Sequence, residues 1–218
     1  MGTFSATANS SSTIGYVQYG SSSWSTGSSG ACQGAYQGTT AAKSRVGIMV
    51  FNGAGAALKG KLIQSITLTI TSSGAGSGSS SKKLTFHKAN YQSLNTSVRG
   101  SAQVGDTLGV LIGKFYSNTV THTLNTSSNA ALFAAMKAYF EAGNSVLVLY
   151  NGETSSSSGY SSNYARITSC TISVTYIDAV VWYCDGGTWR QCTVWYRLNG
   201  AWVQVVPYYN SGGTWVRV

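Results

Sequence analysis

Trp189, Trp202 and Trp215 recur every thirteen residues at the C-terminal end of the chain. The units that carry them, VWYCDGGTWRQC, VWYRLNGAWVQV and PYYNSGGTWVRV, also align Tyr183 with Tyr196 and Tyr209, and Gly187 with Gly200 and Gly213. Asp-Gly-Gly, Asn-Gly and Gly-Gly supply the positive φ angles that short hairpin loops need, so each unit predicts strand, tight turn, strand. The period is one β-hairpin. Side chains alternate across a strand, which sets Trp189 and Gln191 against Arg190 and Cys192. In the later units Gln204 and Arg217 continue the tryptophan face, with Val203, Val205, Val216 and Val218 opposite. A ribbon of about forty residues cannot bury two apolar faces by itself, because short repeats need neighbours to complete a core. Its cover is the rest of the chain, identical chains around an axis, or a ligand stacked on the indoles. Trp182, Trp189, Trp195, Trp202, Tyr209 and Trp215 are the candidate assembly residues.

Ahead of this module, β-rich runs at 44–51, 62–72, 84–87, 108–116, 145–150 and 165–176 are separated by Gly/Ser punctuation such as SSGAGSGSSS. Such runs, on wide and irregular spacing, predict a jelly-roll β-sandwich. One helix interrupts them. In NTSSNAALFAAMKAYFEAGNS, Leu132, Phe133, Met136 and Phe140 make one apolar face, Ser127 or Ser128 is placed to cap the start, and Gly143 supplies the left-handed stop. It should cover one open end of the sandwich. The expected fold is thus all-β: a jelly-roll sandwich with one short helix over residues 1–177, then a small antiparallel hairpin module over 178–218.

Composition agrees. Charged residues make up only 9% of the chain, so its surface must consist of hydroxyl, amide and glycine. Formal net charge is +9, but the basic residues are strung out singly, with Lys82–Lys83 the one adjacent pair. That distribution argues against a nucleic-acid module, which concentrates Lys and Arg beside stacking aromatics. A diffuse positive field still favours approach to an anionic surface. The first twenty residues lack a charged leader and apolar run, and no stretch nears the ~20 apolar residues of a membrane span. Folding in the cytosol, without membrane insertion, is the expectation. Cys32, Cys170, Cys184 and Cys192 lack zinc-site spacing, and Cys170 reads as a small buried apolar residue. Cys184 and Cys192 flank one turn, and their pairing stays open.

The order SRVGIMVFN, LKGKLIQSITLTIT, LTFHKANYQ, helix, SVLVLYNGE and YSSNYARITSCTISVTY resembles the jelly-roll domains of phage and prophage tail proteins. These are related to the carbohydrate-binding-module-like domains that open with a DNRLRE-type motif, a string this chain lacks. The C-terminal units are similar to the Trp/Tyr/Gly hairpin repeats that end tail and fibre-like proteins of phages from Gram-positive bacteria. Both resemblances imply a virion protein, and the rims of fibrous viral proteins are commonly built from symmetric copies, which favours a homotrimer.

Reactive constellations are scarce. Asp106, Glu141, Glu153, Asp178 and Asp185 form no evident pair of the kind that glycoside hydrolysis needs. Glu153 is the one acid in an aromatic loop and reads as a solvated residue. His87 and His122 fall in no metal-binding or relay motif, and no nucleophile elbow or phosphate-cradling glycine loop is present. No enzyme, cofactor or metal is expected. Binding chemistry fits better: Tyr160, Tyr164 and Asn163 combine aromatic faces with amide groups, as sugar recognition requires, and Trp24 is a further isolated aromatic. The expected function is attachment within a phage particle, at tail, baseplate, fibre or head surface, to host envelope glycans or to neighbouring virion proteins. The rivals are a carbohydrate-binding module of a bacterial surface protein and an architectural capsid decoration protein.

Overall fold

Alternation of Ser and Thr with Ile, Leu and Val lays down the longest strands of the sandwich. The computed structural model describes residues 1–73 and 80–178 in full and, beyond them, the backbone of six short strands between 181 and 217. In chain order the strands of the first part are β1 (Gly2–Ala8), β2 (Ile14–Gln18), β3 (Ser25–Thr26), β4 (Ala31–Gln33), β5 (Arg45–Val50), β6 (Leu62–Ser72), β7 (Lys82–Ala89), β8 (Val104–Gly113), β9 (Thr119–Leu124), β10 (Val146–Leu149) and β11 (Ala165–Ile177). Helices α1 (Ala54–Leu58), α2 (Gly100–Gln103) and α3 (Ala130–Glu141) lie between them.

Two antiparallel sheets face each other. One runs β1-β11-β6-β9, with β4 also on β11, and the other β3-β2-β5-β10-β7-β8. The connections β5–β6, β6–β7, β8–β9, β9–β10 and β10–β11 each cross between the sheets, which is the interleaving of a jelly roll. Ile63, Ile66, Leu68 and Ile70 of β6 meet Met49, Leu84, Phe86 and Leu147 of the opposite sheet in one core.

The outer faces differ in chemistry. On the first sheet the outward residues form rows of hydroxyls in register: Ser5, Ser173, Thr67 and Thr123, then Thr7, Thr171, Thr69 and Thr121. Cross-strand pairs such as Thr7–Thr171 at 2.8 Å and Thr71–Thr119 at 3.0 Å bond these hydroxyls to one another. A chain with so few charges wets this face with hydroxyls. The outer face of the second sheet is apolar instead, and Val17, Val46, Ile48, Val50, Val146 and Val148 lie under a second cluster closed by Tyr19, Trp24 and Leu94. This explains why β5 and β10 read as continuous apolar runs.

Helix α3 buries Leu132, Phe133, Met136, Tyr139 and Phe140 and packs against β8, β6 and β9. Because β8 and β9 are the edge strands of opposite sheets, the helix closes the sandwich along that side. Its start differs from expectation. Neither Ser127 nor Ser128 caps it; Asn129 enters in the left-handed region (φ 53°), and the Asn125 side-chain oxygen instead accepts the Ser127 and Ser128 N–H groups. Asn tolerates that conformation better than most side chains, so the turn needs no serine cap. Gly143, at φ 92°, donates its N–H to Phe140 and ends the helix as expected. Two single-turn helices, α1 and α2, were not legible in their small, Gly/Ala-rich segments.

Beyond the sandwich, β12 (Val181–Asp185) pairs with β13 (Thr188–Cys192), β14 (Trp195–Leu198) with β15 (Ala201–Gln204), and β16 (Tyr208–Ser211) with β17 (Thr214–Arg217). The repeat is therefore three antiparallel hairpins. Trp189, Trp202 and Trp215 occupy the same rung of each, opposite Cys184, Arg197 and Asn210. Cys192 lies opposite Val181, three rungs from Cys184, and the state of the two thiols lies outside the described residues. The face taken by each indole, and hence the expected assembly role of Trp182, Trp189, Trp195, Trp202, Tyr209 and Trp215, lies outside the described residues.

Candidate functional site

Four tyrosines gather around Arg45 at one end of the sandwich. Tyr16 comes from β2 and Arg45 from the first position of β5. Tyr36 follows β4, and Tyr160 and Tyr164 precede β11. Two isolated bridges, Gly34 with Arg45 and Tyr36 with Tyr160, draw these segments together. The Arg45 guanidinium carbon lies 4.5 Å from the Tyr16 ring centre, 5.2 Å from that of Tyr164 and 5.9 Å from that of Tyr36, and Nη1 donates to the Tyr164 hydroxyl. Tyr160 sits with its ring centre 4.5 Å from both Tyr36 and Tyr164.

Burial divides the cluster into floor and face. Tyr164 is 2% exposed, whereas Tyr36 and Tyr160 remain 38% and 37% exposed. The two outer rings pack against each other, their centres 4.5 Å apart and their planes inclined by 31°, and form one partly exposed aromatic pair. Below them the Tyr164 hydroxyl points to the Cys32 sulfur at 3.8 Å. Burial pushes the pKa values of both the Tyr164 phenol and the Cys32 thiol up, so both stay protonated at neutral pH.

The loop that carries Tyr160 is fastened along its length. The Ser155 and Ser161 N–H groups donate to Gly38 and Ala35, while Gln37 donates to Gly159. Ser155 and Ser161 hydroxyls accept the Gly38 and Ala35 N–H groups in return. Asn163 is used up internally: its amide N–H groups meet Glu153, its side-chain oxygen accepts the Lys83 N–H at 2.8 Å, and its carbonyl accepts from Gln33 at 2.9 Å. The platform is thus built before any ligand arrives.

Of the residues singled out by sequence, Tyr160, Tyr164 and Asn163 share this site in unequal roles. Tyr160 is exposed, Tyr164 is the buried support, and Asn163 is a latch whose side-chain nitrogen and oxygen are both bonded to protein groups. Trp24 is elsewhere. Its indole N–H donates to Val98 at 3.0 Å and its ring packs over the apolar outer face of the second sheet. Tyr16, Tyr36 and Arg45 were not anticipated, since only the β2–β5 ladder and the bridges from 34 and 36 bring them here.

The described acids are committed to neighbours. Glu153, expected to be solvated, holds Asn163; Glu141 pairs with Lys137 at 2.8 Å and accepts the Ile63 N–H; Asp106 pairs with Lys88 and Asp178 with Lys61. The His87 ring nitrogens lie 3.0 Å from the Gly105 and Tyr150 carbonyls. Among the described residues no three His, Cys, Asp or Glu gather as a metal would require, and no helix is long and apolar enough to cross a membrane. A separate hollow of about 580 Å³ lies between α3 and the β7–β8 ribbon, floored by Leu108, Ala135 and Ala138, with Lys88 and Asp106 at its rim.

Compared with models of known protein families and with curated proteins, the chain matches none of them.

Proposed function

We propose that this chain is a non-catalytic structural protein of a phage particle that attaches the particle to host envelope glycans through the Tyr36–Tyr160 face. The single observation that carries the binding reading is that exposed pair of rings, stacked at 4.5 Å on a fastened loop. An exposed aromatic pair flanked by hydroxyls and amides offers apolar contact to the C–H groups of a sugar, and a pair already held in place spares the ligand most of the ordering cost. The virion assignment is supported by the resemblance of the strand order to phage tail jelly rolls, and by the three hairpins that follow in one register. In this reading the hairpins serve self-association, as a homotrimer.

A glycan array probed with the intact chain tests the attachment. Signal that falls to background in Tyr160→Ala and Tyr36→Ala, with an unchanged melting temperature, supports it. An array blank for the wild type, together with robust incorporation into capsids or tails, favours an architectural decoration protein. Solution mass with and without residues 178–218 tests assembly: a trimer that becomes a monomer on truncation assigns self-association to the hairpins, and an unchanged mass removes it from them.

A further inference from the structure

The geometry points to an anion subsite at Arg45: the glycan bound on the Tyr36–Tyr160 face carries a carboxylate or phosphate, which the guanidinium receives. This rests on the attachment reading above and narrows its ligand to an acidic saccharide.

The argument begins with a cation that has no counter-charge. Arg45 is half-buried, and taking a charge out of water is costly unless something of opposite sign compensates it. Among the described residues Arg45 forms no ion pair. Its Nη1 donates to the Tyr164 hydroxyl, an uncharged partner. Arg166, equally half-buried, differs: it donates to the carbonyls of Ser29 at 2.9 Å and Ser28 at 2.8 Å, so its fork is filled by backbone oxygens.

Among the described residues each acid already has a partner other than Arg45. Glu153, the acid of the adjoining loop, has one oxygen on the Asn163 backbone N–H and the other on its side-chain amide. What surrounds Arg45 instead is aromatic. Rings at 4.5, 5.2 and 5.9 Å favour a cation electrostatically but carry no negative charge to neutralise it. A guanidinium matches a planar carboxylate or a phosphate face in two-point contact.

The same rings connect this group to the proposed platform. The Tyr36 ring centre lies 5.9 Å from the Arg45 guanidinium carbon and 4.5 Å from the Tyr160 ring centre, so a sugar held against the exposed Tyr36–Tyr160 pair has its acidic substituent within reach of the guanidinium. The excess of fourteen basic over five acidic residues adds a field that draws such a ligand in.

The test is a binding titration of the full chain against an oligogalacturonate, its fully methyl-esterified counterpart, and a ribitol-phosphate oligomer. The acidic probes separate carboxylate from phosphate as the recognised group, and the ester isolates the charge. The expected result is affinity for at least one acidic probe that exceeds the ester by at least about tenfold and falls as salt rises. Arg45→Gln removes that preference, while Tyr160→Ala weakens acidic and neutral probes alike. Arg45→Lys, which keeps the charge but not the fork, retains part of it. Should Arg45→Gln fail to fold, the wild-type preference for acid over ester and its loss on Tyr36→Ala decide the matter. Equal binding of acid and ester overturns the anion subsite and leaves the platform reading standing. Binding of none of the probes, joined to a blank glycan array, overturns both. Affinity for the acidic probe that is unchanged in both Tyr36→Ala and Tyr160→Ala also overturns it, since the charge would then be read elsewhere on the surface.

Discussion

Glu153 grips Asn163 at two points, its Oε2 accepting the backbone N–H at 2.8 Å and its Oε1 accepting the side-chain amide at 2.5 Å. The pair closes the loop that ends in Tyr164, and Asn163 in turn reaches the Lys83 N–H and the Gln33 amide on neighbouring strands. Hydrogen bonds to a charged acceptor contribute about 1.5–3 kcal/mol when partly buried. Glu153→Ala should therefore lower stability by about 2 kcal/mol in denaturant unfolding, and Glu153→Gln by less, because a neutral oxygen still accepts one bond. Loss of the latch also frees the Tyr160 loop, so glycan affinity should fall in both variants without any change to the aromatic face. Proteolysis within 151–164, absent in the wild type, should appear in Glu153→Ala.

His122 faces inward from β9, and its ring lies against Phe115 with centres 5.8 Å apart and its Nε2 buried without a partner. Burial holds its pKa below the ordinary 6.5. In the folded state the ring therefore stays neutral to lower pH than in the unfolded chain, and the unfolded state binds the proton first as pH falls. Its contribution to stability is complete above about pH 6.5 and is lost progressively below that value, toward the lower folded one. His122→Leu should remove this part of the slope below pH 6.5, measured as the difference between wild-type and variant melting temperatures as the pH is lowered. A wild type and a variant with parallel pH profiles would contradict the assignment.

How far the sequence reaches depends on which force shapes each element. Strands β5, β6, β10 and β11 were legible because Ile, Leu and Val recur at the strand period, or run continuously where both faces are covered. Strand β9, TVTHTL, has the same alternation but puts His122 where an aliphatic residue would have marked it, and β1 uses Phe4, Ala6 and Ala8, too small a face to stand out. Strand β8 ends at Gly113, three residues short of the expected limit, because Phe115 turns into the core beyond the ladder. In the site, Tyr160 was visible as an aromatic in a polar loop. Arg45 and Tyr36 were not, since their meeting depends on ladder register across 119 or more residues from Tyr164 and leaves no local periodicity. Trp24 carries no sequence signal that separates a platform from a lid, and only the bond to Val98 assigns it to the second.

Cys32 and Cys170 are fully buried, and burial pushes the Cys170 thiol up to about 12. The thiolate is the form that reacts, so at pH 8 Cys170 has essentially none. Peptide mapping after brief iodoacetamide treatment of the native protein should find both Cys32 and Cys170 unmodified, and treatment in guanidinium should label both. Native labelling of Cys170 at a rate near that of a free thiol would show that the β1–β11–β6 layer opens on that timescale.

Tyr139 ties the helix to the sheet it closes. Its hydroxyl donates to the Val146 carbonyl at 2.8 Å and accepts from the Ala89 N–H and the Gln92 amide, both at 3.0 Å, while Gln92 accepts the Ser145 N–H. One buried oxygen thereby satisfies backbone groups at the ends of β7 and β10, where the ladder between those strands has run out. Tyr139→Phe keeps the ring and its packing but leaves the Ala89 N–H and the Val146 carbonyl without that partner, each a buried group whose loss of a bond costs about 1–3 kcal/mol. The expected drop is about 2 kcal/mol, larger than for an exposed tyrosine such as Tyr91, whose replacement by Phe should change stability by less than about 0.5 kcal/mol. Hydrogen exchange locates the effect: the Ala89 amide should lose protection in Tyr139→Phe while amides in the centre of β6 keep theirs. Equal loss at both places would mean that the helix and the sheet unfold as one unit and that the hydroxyl is not a local tie.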